Sequence, residues 1–377
     1  MKTVLVTGWD GYIGNALTLR LLNEGYKVLG IDNYSRRIEV NKVGSFSAIP
    51  IMDVYEKAKK FKKIGDFDYL SCSINMDYYM IEDFLSSNKP DVVVNLAQQP
   101  SAPFSHFSRE NAIHTIWSNT IGTMNILYLL KDFIPDAHLV QIGSMGEYDH
   151  TSGVNIPEGI FDMMYQGKIM KDILFPRDPG SIYHTTKVSA TYFIKNACKW
   201  WNIKATDIMQ GIVYGSWTPE IEETGIYTRF DVDECFGTVL NRFTLQKVLG
   251  IPLTIFGKGK HKRGFLSLSD SVNCLMLAIE NVPKENYRTW NQFCETYSIN
   301  KIAEIVGGET QYIETPRIEN TNNFTYNPTY IKLFKMGFKQ TRKIEDEIKW
   351  TCNLLKKYKD ELYPLERFII PKIKWSN

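Results

Sequence analysis

The sequence predicts an α/β protein: a doubly wound parallel sheet with a smaller C-terminal substrate-binding portion. Three observations carry this. Short apolar runs alternate with longer segments of helical period over the first two-thirds of the chain. The runs are rich in Val, Ile and Leu without polar alternation, the pattern of strands covered on both faces. A glycine-rich turn joins the first run directly to the first helical segment, which is where such sheets receive a nucleotide.

In chain order, strands are expected at 3–7, 27–31, 91–96, 138–142 and 204–209, with helices at 12–23, 79–87, 107–133 and 185–200. Further on, 237–249 reads as a helix, 253–256 as a short strand and 269–280 as another helix. Two stretches break the rhythm. Residues 151–181 carry Gly and Pro at intervals with little periodicity, and 215–236 is acidic and irregular. Excursions of that length in a compact domain are usually functional. The last hundred residues mix short helices and loops. The expected division is a dinucleotide-binding unit, 1–210 and about 234–282, and a substrate unit, 211–233 and about 283–377.

Of the 377 residues, 44% are hydrophobic and 23% charged, so the chain is globular rather than disordered. A formal charge of +2 gives no electrostatic reason for a nucleic-acid partner. No apolar stretch approaches the roughly 18 residues of a membrane span. Cys72, Cys198, Cys235, Cys274, Cys294 and Cys352 lie far apart without metal-ligand spacing. They read as free thiols of a cytoplasmic protein that needs no metal.

The first chemical signal is Gly8-Trp9-Asp10-Gly11-Tyr12-Ile13-Gly14 between strand and helix. Glycines here allow a tight turn, close approach of a pyrophosphate and packing of helix on strand. The helix N-terminus then faces the negative charge. The next strand ends at Asp32, where a carboxylate can accept hydrogen bonds from adenosine ribose hydroxyls and so favour NAD. Arg36 and Arg37 follow; they are solvated charges or, alternatively, acceptors of a 2′-phosphate.

The second signal is Tyr183-His184-Thr185-Thr186-Lys187. Four-residue spacing puts Tyr183 and Lys187 on one helix face, where an ammonium favours the phenolate. Tyr183 can then take a proton from a sugar hydroxyl while NAD takes hydride from the same carbon. Ser144, at the end of a strand, can hydrogen-bond that hydroxyl. His184 and Glu147 are candidates for further proton transfers, against bland readings as a packing histidine and a loop carboxylate.

With these residues in hand, the sequence resembles the extended short-chain dehydrogenase/reductase superfamily, whose core is a Rossmann fold. Within it the UDP-sulfoquinovose synthase family is the nearer likeness. That likeness rests on Ser101-Ala102-Pro103-Phe104-Ser105, Met145-Gly146-Glu147-Tyr148 and the run 207–215. It continues through Phe236-Gly237-Thr238, Leu240-Asn241-Arg242-Phe243, Phe256-Gly257-Lys258-Gly259, Arg263-Gly264-Phe265 and Asn291-Gln292-Phe293, and 371–375 looks like the closing segment.

The resemblance implies that UDP-glucose and sulfite are joined with NAD retained: oxidation at C4, loss of water across C5 and C6, sulfite addition at C6 and re-reduction. It implies Tyr183 as the C4 base, supported by Lys187 and Ser144, with His184 and Glu147 serving C5 and C6. NAD contacts are implied for Gly8, Gly11, Tyr12, Ile13, Gly14, Asp32, Asn33, Arg36, Ala97, Asn119, Tyr183, Lys187 and Gln210. Substrate contacts are implied for Ser101, Met145, Asn241, Arg242, His261, Arg263 and Arg317. A homodimer through the helices 107–133 and 185–200 is also implied.

The chain departs from the family pattern at Gln98-Gln99-Pro100, where the family has Glu-Gln-Arg, at His261-Lys262, and around Ser73-Ile74. Proline cannot replace a cation that would hold an anion. The competing readings are a UDP-sugar 4-epimerase or 4,6-dehydratase, and a non-catalytic NAD-binding sensor. Met145-Gly146 stands where dehydratases carry Asp-Glu, and a sensor has no need of a polarised phenol.

Overall fold

The computed structural model describes residues 1–148, 156–314 and 330–369. Arg317 and the expected closing segment 371–375 lie outside the described residues, as does the start of the 151–181 excursion.

Seven parallel strands form the central sheet, in the spatial order Tyr287–Gln292, Lys204–Gln210, His138–Ser144, Val92–Asn95, Thr3–Thr7, Lys27–Asp32, Phe67–Ser71. The chain starts in the middle and winds first one way, then the other. The strand order therefore reverses between Thr3–Thr7 and Val92–Asn95, which opens a crevice at their carboxyl ends. Successive residues of a strand face opposite sides. Accordingly Val4 and Val6 pack into one core with helices Tyr12–Asn23 and Leu268–Glu280, while Leu5 packs into another with Tyr78–Asn88, Gly122–Phe133 and Ile182–Trp201. Both faces are buried, which is why these runs carry no polar alternation.

Two edge strands were not legible as strands. Phe67–Ser71 contains Asp68, and Tyr287–Gln292 contains Arg288 and Asn291; edges tolerate such polarity because only one neighbour covers them. The second extends the sheet to residue 292, beyond the expected division near 283. The helix expected over 107–133 is Arg109–Ile116, a π-helical turn Trp117–Ile121 and Gly122–Phe133. It begins two residues late because the Ser108 hydroxyl caps it, accepting from the Asn111 amide at 3.2 Å. Within the first excursion Ile160–Tyr165 and Lys168–Leu174 pair as an antiparallel hairpin. Within the second, the short helix Pro219–Thr224 is capped by Thr218.

A separate core joins Phe230 and Val232 of that second excursion to helix Val239–Leu249, strand Leu253–Phe256 and helix Ile344–Lys356. The last of these, thirteen residues long, exceeds the short helices expected of the C-terminal region.

Candidate functional site

Gly8 leaves the first strand with φ +76°, and a Cβ there would lie 2.9 Å from the backbone of Leu96 and Ala97. A Cβ on Gly14 would lie 2.0 Å from the Gly8 carbonyl oxygen. Only glycine fits either position, so the helix N-terminus stands bare at the crevice, the shape a pyrophosphate requires. The intervening Trp9 and Asp10 point away. Trp9 is fully buried against Phe61, Phe67 and Tyr69. Asp10 accepts from Arg37 at 2.6 Å and Lys57 at 2.7 Å. Burial opposes its charge, but these two cations hold its carboxyl below the ordinary value.

Asp32 accepts from the backbone amides of Asp10 at 2.9 Å and Tyr34 at 2.7 Å. Burial, with the nearby charge of Asp10, raises its carboxyl to about 6. Of the two arginines weighed for a 2′-phosphate, Arg37 is engaged by Asp10 and Arg36 by Asp231, at 3.0 and 3.2 Å. Both stand paired with carboxylates on the protein itself.

A continuous cleft of about 570 Å³ runs from this turn to the Tyr183 helix. It lies within the usual range for ligand sites. Ser181 starts the helix by accepting from the His184 amide at 3.1 Å. Burial and the charge of Glu147 raise the Tyr183 phenol above its ordinary value, and the neighbouring Ser144 side chain opposes this. Lys187 lies with its ammonium 5.6 Å from the Tyr183 ring centroid. Contrary to the expected pairing with the phenol, that ammonium donates to the Ile142 carbonyl at 2.8 Å and to the Gln98 side chain. Burial lowers it to about 8, with Glu147 and Asp207 opposing. His184 turns its Nδ1 to the Ser181 hydroxyl at 2.9 Å and its Nε2 towards Gly146, where a Cβ would lie 2.1 Å away.

The cleft brings together, of the expected residues, Gly8, Gly11, Tyr12, Ile13, Gly14, Asp32, Asn33, Arg36, Ala97, Ser144, Tyr183, His184, Lys187 and Gln210. At its far end it is lined by Ser101, Met145, Asn241, Arg242, His261 and Arg263. Two expected residues stand behind its wall. Glu147 is fully buried because the 3₁₀ turn Met145–Tyr148 rotates it inward. There it accepts from the Ser144 amide at 3.0 Å and meets Arg177 at 3.4 Å. Burial, opposed by Arg177 and reinforced by Asp207, raises it to about 7. Asn119, also fully buried, accepts from the Gln99 amide at 2.8 Å and donates to the Gln99 carbonyl and the Thr186 hydroxyl. It braces the loop at Gln98–Ser101 against the Tyr183 helix.

Sequence reasoning named Gln98 only as a departure from the family pattern and met Asp207 only within the run 207–215, and it gave no role to Arg177 or Arg229. Among the described residues no helix is long and apolar enough to cross a membrane, and no cluster of His, Cys, Asp and Glu could hold a metal.

A doubly wound sheet, a glycine turn and a Ser–Tyr–Lys grouping on one cleft define a class, and the comparisons agree. Residues 4–291 match the NAD dependent epimerase/dehydratase family, and the chain belongs to it, with NAD as its cofactor. More particularly, it is 40% identical to a UDP-sulfoquinovose synthase of Sulfolobus acidocaldarius, over 99% of this chain and 97% of that one. It is 36% identical to the chloroplastic UDP-sulfoquinovose synthase of Spinacia oleracea, over 100% of this chain and 79% of that one. In fold it is similar to the Thermotoga maritima UDP-glucose 4-epimerase, solved with UDP-glucose, at a TM-score of 0.70 and 22% identity, covering 94% and 99% of the two chains.

Proposed function

We propose that the protein joins UDP-glucose and sulfite into UDP-sulfoquinovose, releasing water. The observation that carries this is the full-length likeness to two enzymes of that name, set beside a cleft continuous from the glycine turn to Tyr183. NAD, when bound, accepts hydride from C4 of the sugar and later returns it.

On this reading Tyr183 takes the proton of the C4 hydroxyl while Ser144, beside it, holds that oxygen. The buried Lys187 ammonium favours the phenolate through space. The new C4 ketone acidifies the C5 proton. His184, beside Tyr183 with ring centroids 4.9 Å apart, takes that proton and returns one to the departing C6 hydroxyl. Sulfite sulfur adds to the C5–C6 double bond at C6, C5 is reprotonated, and C6 exchanges a hydroxyl for a sulfonate with no net redox change. Glu147 acts as a positioning residue through the Ser144 amide rather than as a direct proton donor. Asp32, Asn33, Arg36, Ala97 and Gln210 line the NAD end. Met145, Ser101, Asn241, Arg242, His261 and Arg263 line the nucleotide-sugar end.

We further place the protein in the cytoplasm, in keeping with its free cysteines. We also read it as a homodimer: Ile113, Ile116, Trp117, Tyr128 and Tyr192 present exposed apolar surface on the two long helices. The test is incubation with UDP-glucose, with and without sulfite, followed by mass spectrometry. A sulfite-dependent anionic sugar nucleotide is expected. A C4 epimer or a 4-keto-6-deoxy sugar overturns the assignment in favour of epimerase or dehydratase.

A further inference from the structure

Lys187 reaches from helix Ile182–Trp201 to strand His138–Ser144. Its ammonium donates to the Ile142 carbonyl at 2.8 Å, an oxygen that also accepts from the Gln141 side chain at 3.2 Å. Its other acceptor is the Gln98 carboxamide, 89 residues back, on the loop that follows strand Val92–Asn95. The far end of that carboxamide is fixed as well. Gln98 Nε2 donates to the Thr123 hydroxyl at 3.4 Å, and this hydroxyl gives its own proton to the Asn119 carbonyl at 2.6 Å. Thr123 can therefore only accept from Gln98, so the amide nitrogen faces Thr123 and the oxygen faces the ammonium. The Gln98 backbone amide donates to the Leu96 carbonyl at 2.8 Å and pins the loop below it.

The charges around Lys187 come from three further elements. Glu147, on the 3₁₀ turn, and Asp207, on strand Lys204–Gln210, are fully buried and favour the ammonium. Arg177, from the first excursion, acts on both carboxylates and stands 3.4 Å from Glu147. On its own helix the ammonium has the Tyr183 ring centroid at 5.6 Å. Two carboxylates thus face two cations, and both acceptors in direct contact with the ammonium are neutral. A buried cation held by neutral oxygens keeps its proton less firmly than one held by a carboxylate. Burial accordingly lowers Lys187 in spite of Glu147 and Asp207.

We propose that Gln98 is a positioning residue for the redox centre: it fixes where the Lys187 ammonium sits and, as an uncharged acceptor, limits how firmly that ammonium keeps its proton. Its consequence for turnover rests on Lys187 serving Tyr183, as proposed above.

The experiment compares the wild type with Gln98→Glu and Gln98→Leu, each loaded with NAD. Magnetic resonance of protein labelled at the lysine Cε follows the Lys187 titration, its signal assigned by loss in Lys187→Met. In parallel, kcat/KM with UDP-glucose and sulfite is measured across the same pH range. The wild type should titrate at about 8. A carboxylate at position 98 should raise that midpoint by about 1 to 3 pH units, and the pH at which turnover levels off should move with it. Loss of the acceptor in Gln98→Leu should lower the midpoint by about one unit. A merely structural role would lower turnover at every pH and leave the midpoint where it was. A midpoint that stays near that of the wild type in Gln98→Glu overturns the proposal. A midpoint that moves while the turnover profile does not upholds Gln98 as the residue that governs the Lys187 proton, and overturns the assignment of Lys187 to the chemistry. Should Gln98→Leu not fold, Gln98→Glu, which keeps the shape of the side chain, carries the test alone.

Discussion

Raising the pH should tighten the fold and halt the rise in turnover through one residue, Lys187. Its side chain is 3% exposed, and burial lowers its ammonium from 10.5 to about 8. The unfolded chain therefore holds the proton more tightly than the folded one. The sign follows: below pH 8 the buried charge costs the fold about 3 to 4 kcal/mol. The penalty fades between pH 8 and 10.5, so moving from pH 7 to 9.5 should recover about 2 kcal/mol. Over the same interval the cation to which the proposed mechanism gives the Tyr183 phenolate disappears, while the phenol itself loses its proton more readily. Turnover that needs ammonium and phenolate together should therefore rise about tenfold per unit up to about pH 8 and level off above it. Urea unfolding at pH 7 and 9.5 and a pH profile of kcat/KM read the two effects on one sample. Lys187→Met should abolish the stability gain, and Lys187→Arg, which stays charged, should let the rise continue past pH 8. A wild-type profile that keeps climbing tenfold per unit past pH 8, or a stability gain that persists in Lys187→Met, refutes the reasoning.

Tyr183→Phe should lower turnover by roughly 10²- to 10⁴-fold, the scale of one acid–base group, while calorimetry shows NAD affinity nearly unchanged. Gly14→Ala would place a methyl 2.0 Å from the Gly8 carbonyl oxygen, with only backbone to move. It should cost roughly 1–3 kcal/mol in urea unfolding and most of the NAD affinity, whereas wild-type NAD binding in this variant would show that the turn is not the cofactor cradle. His138 is 1% exposed with its Nε2 on Thr206 at 2.9 Å, and burial, with the charges of Arg288, Lys2 and Lys204, lowers it to about 3. The unfolded state alone binds its proton below about pH 6.5, so the wild type should lose about 2 kcal/mol more than His138→Gln between pH 7 and 5. Equal losses would mean that His138 accepts the proton in the fold.

The sheet was legible where burial on both faces forces apolar runs. Strand Thr3–Thr7, helix Tyr12–Asn23 and strand Leu253–Phe256 stand where the periodicity puts them. The edge strands were not legible, because one covered side leaves room for Asp68 or Arg288 and the run no longer looks buried. The π-helical turn at Trp117–Ile121 was hidden for another reason. It carries Asn119, whose partners Gln99 and Thr186 lie 20 and 67 residues away, and no local preference encodes that pairing.

The site divides along the same line. Residues contributed by backbone shape, such as Gly8 and Gly14, and by helix spacing, such as Tyr183 and Lys187, could be read directly. What could not be read was where buried charges find partners. Glu147 follows Ser144 by three residues, so proximity suggested a second acid in the cleft. A single 3₁₀ turn instead sends it behind the wall, among Asp207, Arg177 and Thr191. Lys187 likewise finds Gln98, 89 residues away, rather than the phenol one turn before it. In both cases desolvation decides. A charge taken out of water must be matched by whatever the fold places nearby, and that neighbour comes from a different strand or excursion. The excursion at 215–236 follows the same logic: Asp231 within it meets the guanidinium groups of Arg229 and of Arg36, the latter 195 residues away.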